Sequence, residues 1–171
     1  VLPYNELGAA AAAYNADEKE LCRLDEIYSA VKTPFEIRSG SEKVTRRFFK
    51  ICNNGRESFT GLYKSLTEQG ICKGHQCIAY GLYMRDNGIE LSEGLAVYGY
   101  SICSAIVTNC VKLVPLSQLA GQKILGESFE LISSASEKAL FTDINDIGIS
   151  GVGFDLRAMQ HERLYSRQYM S

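Results

Sequence analysis

Cys72, His75 and Cys77 are the residues whose types and spacing could bind a metal ion or perform thiol chemistry. Thiolate and imidazole groups suit zinc, copper or nickel, and the spacing here is C-x2-H-x-C. A closed structural site needs a fourth ligand, and no second cysteine pair stands at the usual distance. The simpler interpretation is a loop before a helix, with packed thiols and His75 as a capping or packing residue. We therefore predict no metal site, and we keep a metallochaperone or a thiol- or metal-dependent protein as the alternative function.

Other catalytic patterns are weak in this sequence. Only His75 and His161 could act as the base for a cysteine nucleophile, and spacing places neither beside a thiol. Gly148 to Gly153 is rich in glycine, but it lacks the Lys-Ser/Thr pair of a P-loop and follows no predicted strand. The carboxylates form no motif with an interpretable spacing. We expect a protein that binds other proteins, with no catalytic residue and no cofactor.

A polar segment surrounds Pro115 in the most apolar part of the sequence. Its members are Lys112, Gln118, Gly121 and Gln122. Proline should bend or end the preceding helix, because its ring clashes with the helical turn and it donates no backbone hydrogen bond. Buried amides need hydrogen-bond partners, so the pattern predicts a specific polar network at this point. A surface that faces a partner or lines a channel is the alternative.

The C-terminal segment combines aromatic, methionine and arginine side chains. These types are enriched at protein interfaces and their hot spots, and arginine can grip a partner carboxylate through two hydrogen bonds. We predict a tail that becomes ordered on binding a partner. An ordinary last helix packed on the core is the alternative. The residues assigned to partner binding are His161, Glu162, Tyr165, Ser166, Arg167 and Tyr169.

Composition restricts the class of protein. The chain has 171 residues, of which 46% are hydrophobic and 22% charged, as in ordinary globular proteins. A net charge of −2 gives no general field that would attract nucleic acid or anionic lipid. The six cysteines mostly have apolar neighbours and no secretory signal opens the sequence, so we expect reduced thiols in a cytoplasmic protein. Charged or polar residues break every apolar run, which predicts no membrane span.

Helical periodicity dominates the chain, whereas strand patterns are weak. We predict an all-α protein, a single-domain helical bundle over residues 1–171 with about seven to nine helices. The apolar stripe that follows Ser92 predicts the central core helix, with Ser92 as its N-cap. Asp17 should cap the second helix and Asp155 the last one. Residues 155–171 should form that last helix and a flexible, partner-binding tail.

Three segments resemble the UreF family of urease accessory proteins. The segment RAMQHERLYSRQYMS resembles the C-terminal signature of that family. The segment VKLVPLSQLAGQKIL resembles its Pro-Leu and Gly-Gln core motif. The segment GHQCIAYGLYMRDNGIELSEGLAVYGYS is similar to the preceding helix pair, with His75, Tyr80 and Gly81 in the family's places. The resemblance is strongest from Gly74 to Ser171 and fainter from Pro3 to Cys52.

This resemblance implies an all-helical homodimer that acts as a scaffold for nickel insertion. A UreF protein binds the accessory protein UreD, also named UreH, and that complex recruits the GTPase UreG. The assembly then delivers nickel to apo-urease. By the same resemblance, Arg167 is the residue most critical for partner binding, and the tail should become ordered on UreD/UreH. Family members open with a segment that would precede Val1, so we expect the sequence to be incomplete at its N-terminus.

Overall fold

The computed structural model describes residues 1–52, 55 and 57–165, and in this part of the chain every regular element is helical. Two 3-10 turns lie at Leu2–Tyr4 and Ile144–Asp146. The predicted all-α fold and helix number are confirmed for the described residues. The helices are α1 (Glu6–Asn15), α2 (Glu18–Val31), α3 (Phe35–Ile51), α4 (Phe59–Glu68), α5 (Gln76–Asp86), α6 (Leu91–Leu113), α7 (Gln118–Glu127), α8 (Phe129–Ala139) and α9 (Val152–His161).

The centre of the bundle is the contact between α1 and α5. The alanine run of α1 is a strong helix former, and Ala9, Ala10 and Ala13 are completely buried. Gly81 of α5 faces Ala10 so closely that a Cβ atom at Gly81 would lie 2.2 Å from the Ala10 carbonyl oxygen. Small residues on both helices therefore allow the two backbones to touch, which larger side chains would prevent.

The prediction that α6 is the central core helix is wrong. Ile106 is 58% exposed and Leu113 is 53% exposed, both in its second half. An apolar sequence allows a helix to be buried, but its burial depends on which other elements pack against it. Among the described residues, other helices bury only the first part of α6. The buried residues are Gly94, Leu95, Tyr98 and Gly99.

The length and composition of α6 also correct a second expectation. Its 23 residues are apolar enough to cross a membrane, and only 22% of the most apolar window is buried. The expectation that charged or polar residues keep every apolar run too short for a membrane span is therefore wrong for α6. In the structure α6 packs against α1, α7 and α8 of the bundle, and its exposed side includes the polar residues Ser101, Thr108 and Asn109.

One predicted helix cap is present and another is not. Asp17 accepts the Glu20 N–H at 2.8 Å while the Glu20 carboxylate accepts the Asp17 N–H at 3.0 Å, so the cap of α2 is confirmed as a capping box. Ser92 does not cap α6. The cap is Glu90, which accepts the Glu93 N–H at 3.0 Å, because the helix begins two residues earlier than the pattern predicts.

The segment before α9 fixes the position of that helix. Gly148 donates its N–H to the Tyr4 carbonyl at 2.8 Å, which joins the segment to the N-terminal turn.

The prediction that Asp155 is the N-cap of α9 is wrong, because α9 begins after Gly151. Asp155 instead lies in the first turn and accepts the Ser150 hydroxyl at 2.5 Å. A carboxylate in this position is still favoured by the helix dipole.

Candidate functional site

A buried polar network joins α2 to the loop before α5. Asp25 on α2 is 2% exposed, and its Oδ2 accepts the Tyr63 hydroxyl at 2.6 Å and the Gly74 N–H at 3.1 Å. Its Oδ1 accepts the Lys73 N–H at 2.7 Å. The Tyr63 hydroxyl in turn accepts the His75 N–H at 2.8 Å. Hydrogen bonds to a carboxylate are among the stronger ones in proteins, so Asp25 fixes this loop on α2.

His75 joins this network through its backbone N–H, and its ring packs on the apolar side of the network. Its Nε2 lies 2.8 Å from the Ser29 Oγ, and its ring stands edge-on to Tyr28 with 5.0 Å between the centroids. Its Nδ1 is buried and finds no hydrogen-bond partner among the described residues. Burial lowers the pKa of His75 to about 4, although the Asp25 carboxylate opposes this shift. His75 occupies the N-cap position of α5 without a side-chain capping bond, and it is neutral near pH 7.

Cys72, His75 and Cys77 do not form a shared site. Cys72 Sγ lies 3.9 Å from the Sγ of Cys22 on α2, whereas Cys77 packs beside Tyr28. Burial raises the pKa of Cys77 to about 12 and also raises the pKa of Cys72. Protonated thiols are poor nucleophiles and poor metal ligands. Across residues 1–52, 55 and 57–165, no group of three or more His, Cys, Asp or Glu side chains is arranged to hold a metal ion.

A cavity of about 630 Å³ lies between the N-terminal turn, the α2–α3 junction, α6 and the start of α9. Its polar lining includes Lys32, whose Nζ lies 2.9 Å from Glu6 Oε1 and donates to the Tyr28 hydroxyl at 2.7 Å. The rest of the lining is mostly apolar, a combination typical of ligand or peptide pockets. The main apolar residues are Val31, Pro34, Ile37, Ile102, Ile106 and Phe154.

Two polar contacts hold the end of α9 on α3. His161 Nδ1 lies 2.7 Å from Glu36 Oε2, and Glu162 Oε1 accepts the Phe35 N–H at 2.8 Å. Both predicted partner-binding residues therefore contact their own chain. Tyr165 is completely exposed. The other residues assigned to partner binding, Ser166, Arg167 and Tyr169, lie outside the described residues.

The rest of α9 presents apolar side chains to solvent. The helix contains no buried residue, and Phe154 is 70% exposed. Exposed aromatic, leucine and methionine side chains that lie close together in sequence, on α9 and in the four residues after it, are typical of an interaction surface. This C-terminal apolar surface consists of Phe154, Leu156, Met159, Leu164 and Tyr165.

A second exposed apolar surface lies on α6, α7 and α8, which contact one another. The rings of Tyr100 on α6 and Phe129 on α8 lie 5.8 Å apart and join two of these helices. Leu119 on α7 is 81% exposed and Leu131 on α8 is 73% exposed. The α6–α8 surface is defined by Val97, Tyr100, Leu119, Ile124, Phe129 and Leu131.

The segment around Pro115 is a surface feature. As predicted, α6 ends before the proline, at Leu113. The predicted buried polar network is wrong, because α7 packs on α6 through Gly121 and directs its amides to solvent. A Cβ atom at Gly121 would lie 2.7 Å from Val111 Cγ2, so the helices touch there. The exposed members of the motif are Lys112, Pro115, Gln118 and Gln122.

The centre of the buried network, Asp25 and Tyr63, is not among the residues that the sequence pattern predicts as functional. The available signal was Asp25 itself, an acidic residue within the apolar stripe that Leu21, Leu24 and Tyr28 form on α2. A carboxylate in such a stripe must find donors, because burial of an unpaired charge is costly. The donors come from α4 and from the loop before α5, and helical periodicity does not indicate these contacts.

Comparison with known proteins connects this architecture to a family. The UreF family model matches residues 2–128 of the chain. The urease accessory protein UreF of Actinobacillus pleuropneumoniae serotype 5b is 32% identical over 173 residues, covering 98% of this chain and 76% of the relative. The protein of the same name from Haemophilus influenzae strain PittGG is 33% identical over 174 residues, covering 98% and 74%. That from Paenarthrobacter aurescens is 31% identical over 152 residues, covering 86% and 67%.

Proposed function

The chain belongs to the UreF family of urease accessory proteins, and from this premise we propose that it is a non-catalytic cytoplasmic scaffold for nickel insertion into urease. In this proposal the chain is one helical domain that forms a homodimer and binds UreD/UreH. The complex then recruits the GTPase UreG and delivers nickel, as cargo, to apo-urease. The family match is the observation that carries the proposal, and the two exposed apolar surfaces support it.

The C-terminal apolar surface is our candidate for the UreD/UreH contact. Its helix attaches to α3 through the side chains of His161 and Glu162, which leaves Phe154 and Leu156 free to meet a partner. A partner could cover these residues without disturbing the α1–α5 core. Residues Ser166, Arg167 and Tyr169 would extend the contact in the proposed complex. Burial of exposed aromatic and leucine side chains supplies the main driving force of such an interface.

The chemistry of the buried residues supports a scaffold over an enzyme. Burial raises the pKa of Cys77 to about 12, and it lowers the pKa of His75 to about 4. Near pH 7 the thiol is therefore protonated and the imidazole neutral, and both lie inside the bundle.

The exposed motif of Lys112, Gln118 and Gln122 adds polar groups to the surface of α6 and α7, where we propose a second contact with a partner.

The α6–α8 surface is our candidate for the homodimer interface. Its leucine and aromatic side chains would be removed from water by a second copy of the chain. We expect Leu131→Glu to convert the dimer to a monomer in size-exclusion chromatography with light scattering. Ser133→Glu adds the same charge at an exposed position of the same helix and serves as the control. A Leu131→Glu protein that stays dimeric would place the interface elsewhere.

Co-purification with UreD/UreH and UreG tests the scaffold, with urease activation as the functional readout. The expected result is a complex of all three proteins and activation that depends on this chain. Failure to bind UreD/UreH would refute the proposal. Equilibrium dialysis against micromolar nickel examines the alternative of a metallochaperone, which requires a tight site on the isolated chain. Cys77→Ala tests the alternative of a thiol-dependent protein, and we expect the variant to retain urease activation.

A further inference from the structure

Cys22 and Cys72 form a thiol pair between α2 and the loop before α5. Their Sγ atoms lie 3.9 Å apart. Cys22 is one helical turn before Asp25, so the two side chains share a face of α2. Lys73 and Gly74 directly follow Cys72 and donate their N–H groups to Asp25 at 2.7 and 3.1 Å. The helix and the loop are thus joined at two adjacent points, by a carboxylate that accepts amides and by two facing thiols.

We propose that Cys22 and Cys72 are a reversible disulfide site, which closes by exchange with a small-molecule disulfide. Bonded sulfur atoms lie about 2 Å apart, so closure requires the two Sγ atoms to approach by about 2 Å. Rotation of the Cys22 side chain and a small loop shift supply this movement. The bonds from Lys73 and Gly74 to Asp25 keep the loop beside α2 meanwhile, which holds the two thiols opposite each other.

The unequal exposure of the two thiols sets the order of the reaction. Cys22 is partly exposed, whereas Cys72 is 2% exposed and burial raises its pKa. The Cys22 thiolate therefore attacks one sulfur of the small disulfide, whose S–S bond breaks and releases one small thiolate. Cys72 then loses its proton and attacks Cys22 Sγ, and the second small thiolate leaves. The two cysteines are oxidised, and the small disulfide is reduced to two thiols that take up the two cysteine protons.

The new bond would fasten α2 to the loop that carries the buried network. It closes a chain segment that contains α3 and α4, so it restricts the unfolded chain much more than the folded one. Neither cysteine belongs to α6, α7, α8 or α9, which carry the two exposed apolar surfaces. We expect oxidation to raise the Tm by about 5–10 °C. This effect is independent of the proposed function.

The test uses the full chain with Cys103→Ser and Cys110→Ser, which removes two thiols remote in sequence from the pair. The protein is equilibrated with oxidised glutathione and digested with trypsin without reductant. The expected product is the peptide ELCR, residues 20–23, linked to SLTEQGICK, residues 65–73, together with the rise in Tm. Dithiothreitol should reverse both.

Cys22→Ser and Cys72→Ser should each abolish the linked peptide and the rise in Tm. If Cys72→Ser fails to fold, Cys22→Ser still decides, because Cys22 is only partly buried. Three results overturn the proposal. These are no linked peptide at equilibrium, glutathione that remains on Cys22, or a disulfide from either residue to a different cysteine.

Discussion

The Tyr63 hydroxyl donates a 2.6 Å hydrogen bond to Asp25 Oδ2, and through this bond α4 is tied to α2 in the interior of the bundle. The same hydroxyl accepts the His75 N–H at 2.8 Å, so one oxygen connects three elements of the chain. Lys73 and Gly74 complete the donors around the carboxylate. The stability of the folded chain should therefore depend strongly on a carboxylate at Asp25.

Asp25→Asn should lower the free energy of unfolding by about 2–4 kcal/mol, because an amide NH₂ group would face N–H and O–H donors. Urea denaturation followed by far-ultraviolet circular dichroism measures this change. Glu26→Gln is the matched control, since Glu26 is exposed on the same helix, and it should change stability by less than about 0.5 kcal/mol. Equal effects of the two substitutions would contradict the role assigned to the network.

Stability should fall as the pH is lowered from about 6.5 to 4, because His75 resists protonation only in the folded state. A histidine in the unfolded chain binds a proton below about pH 6.5, whereas burial lowers the pKa of His75 in the folded chain to about 4. Between these values the unfolded state binds more protons, so acidification favours unfolding. The expected total loss is roughly 3 kcal/mol, complete below the folded pKa.

Unfolding of the wild type and His75→Gln in urea across this pH range isolates the contribution of His75. Glutamine does not titrate, so the variant should show a weaker pH dependence even if it is less stable throughout. Contributions from other groups are common to both proteins. Identical slopes would mean that His75 is protonated equally in the folded and unfolded chains.

Gly81→Ala should destabilise the α1–α5 contact by about 1–3 kcal/mol or more, because the added Cβ would lie 2.2 Å from the Ala10 carbonyl oxygen. Gly40→Ala is the matched control in a helix, since a Cβ there meets nothing within 4 Å. The control should stabilise α3 by about 0.5–1 kcal/mol, because alanine is the better helix former. Thermal unfolding of both variants distinguishes close packing from helix propensity. A neutral Gly81→Ala would show that α1 and α5 can separate at little cost.

Arg167→Ala, or removal of Tyr165 to Ser171, should abolish co-purification with UreD/UreH or with UreG. Loss of a bidentate arginine at an interface costs binding free energy, whereas the fold should survive because chain ends contribute little to the core. Arg23→Ala, at an exposed position of α2 outside both proposed contact surfaces, is the control for loss of a positive charge. A shortened chain that still assembles and activates urease would show that partner binding lies elsewhere.

Local residues predict much of the fold, because helix ends depend on neighbours in the sequence. The capping box at Asp17, the break at Pro34 and the turn at Gly88, with a φ of +64°, follow from such short-range chemistry. The burial of α6 does not, since it depends on which surfaces meet it. For the same reason the polar residues near Pro115 were expected inside and lie outside.

The candidate site was predictable only in part. Composition predicts an interface-like C-terminal segment, in which Tyr165 is completely exposed whereas His161 and Glu162 contact α3. The roles of Arg167 and its neighbours remain predictions. The partners of Asp25 come from α4 and the following loop, and only folding brings them together. The pairing of Cys22 with Cys72 has the same origin, because their separation along the chain gives no hint of contact.

α9 buries none of its residues, whereas α1 buries most of its length. We expect amide hydrogen exchange to be slow in α1 and fast in α9. The amides of α1 should become accessible only when the whole bundle unfolds, while those of α9 should open after the loss of a few surface contacts. We therefore expect α9 to open and close many times within the lifetime of the folded core.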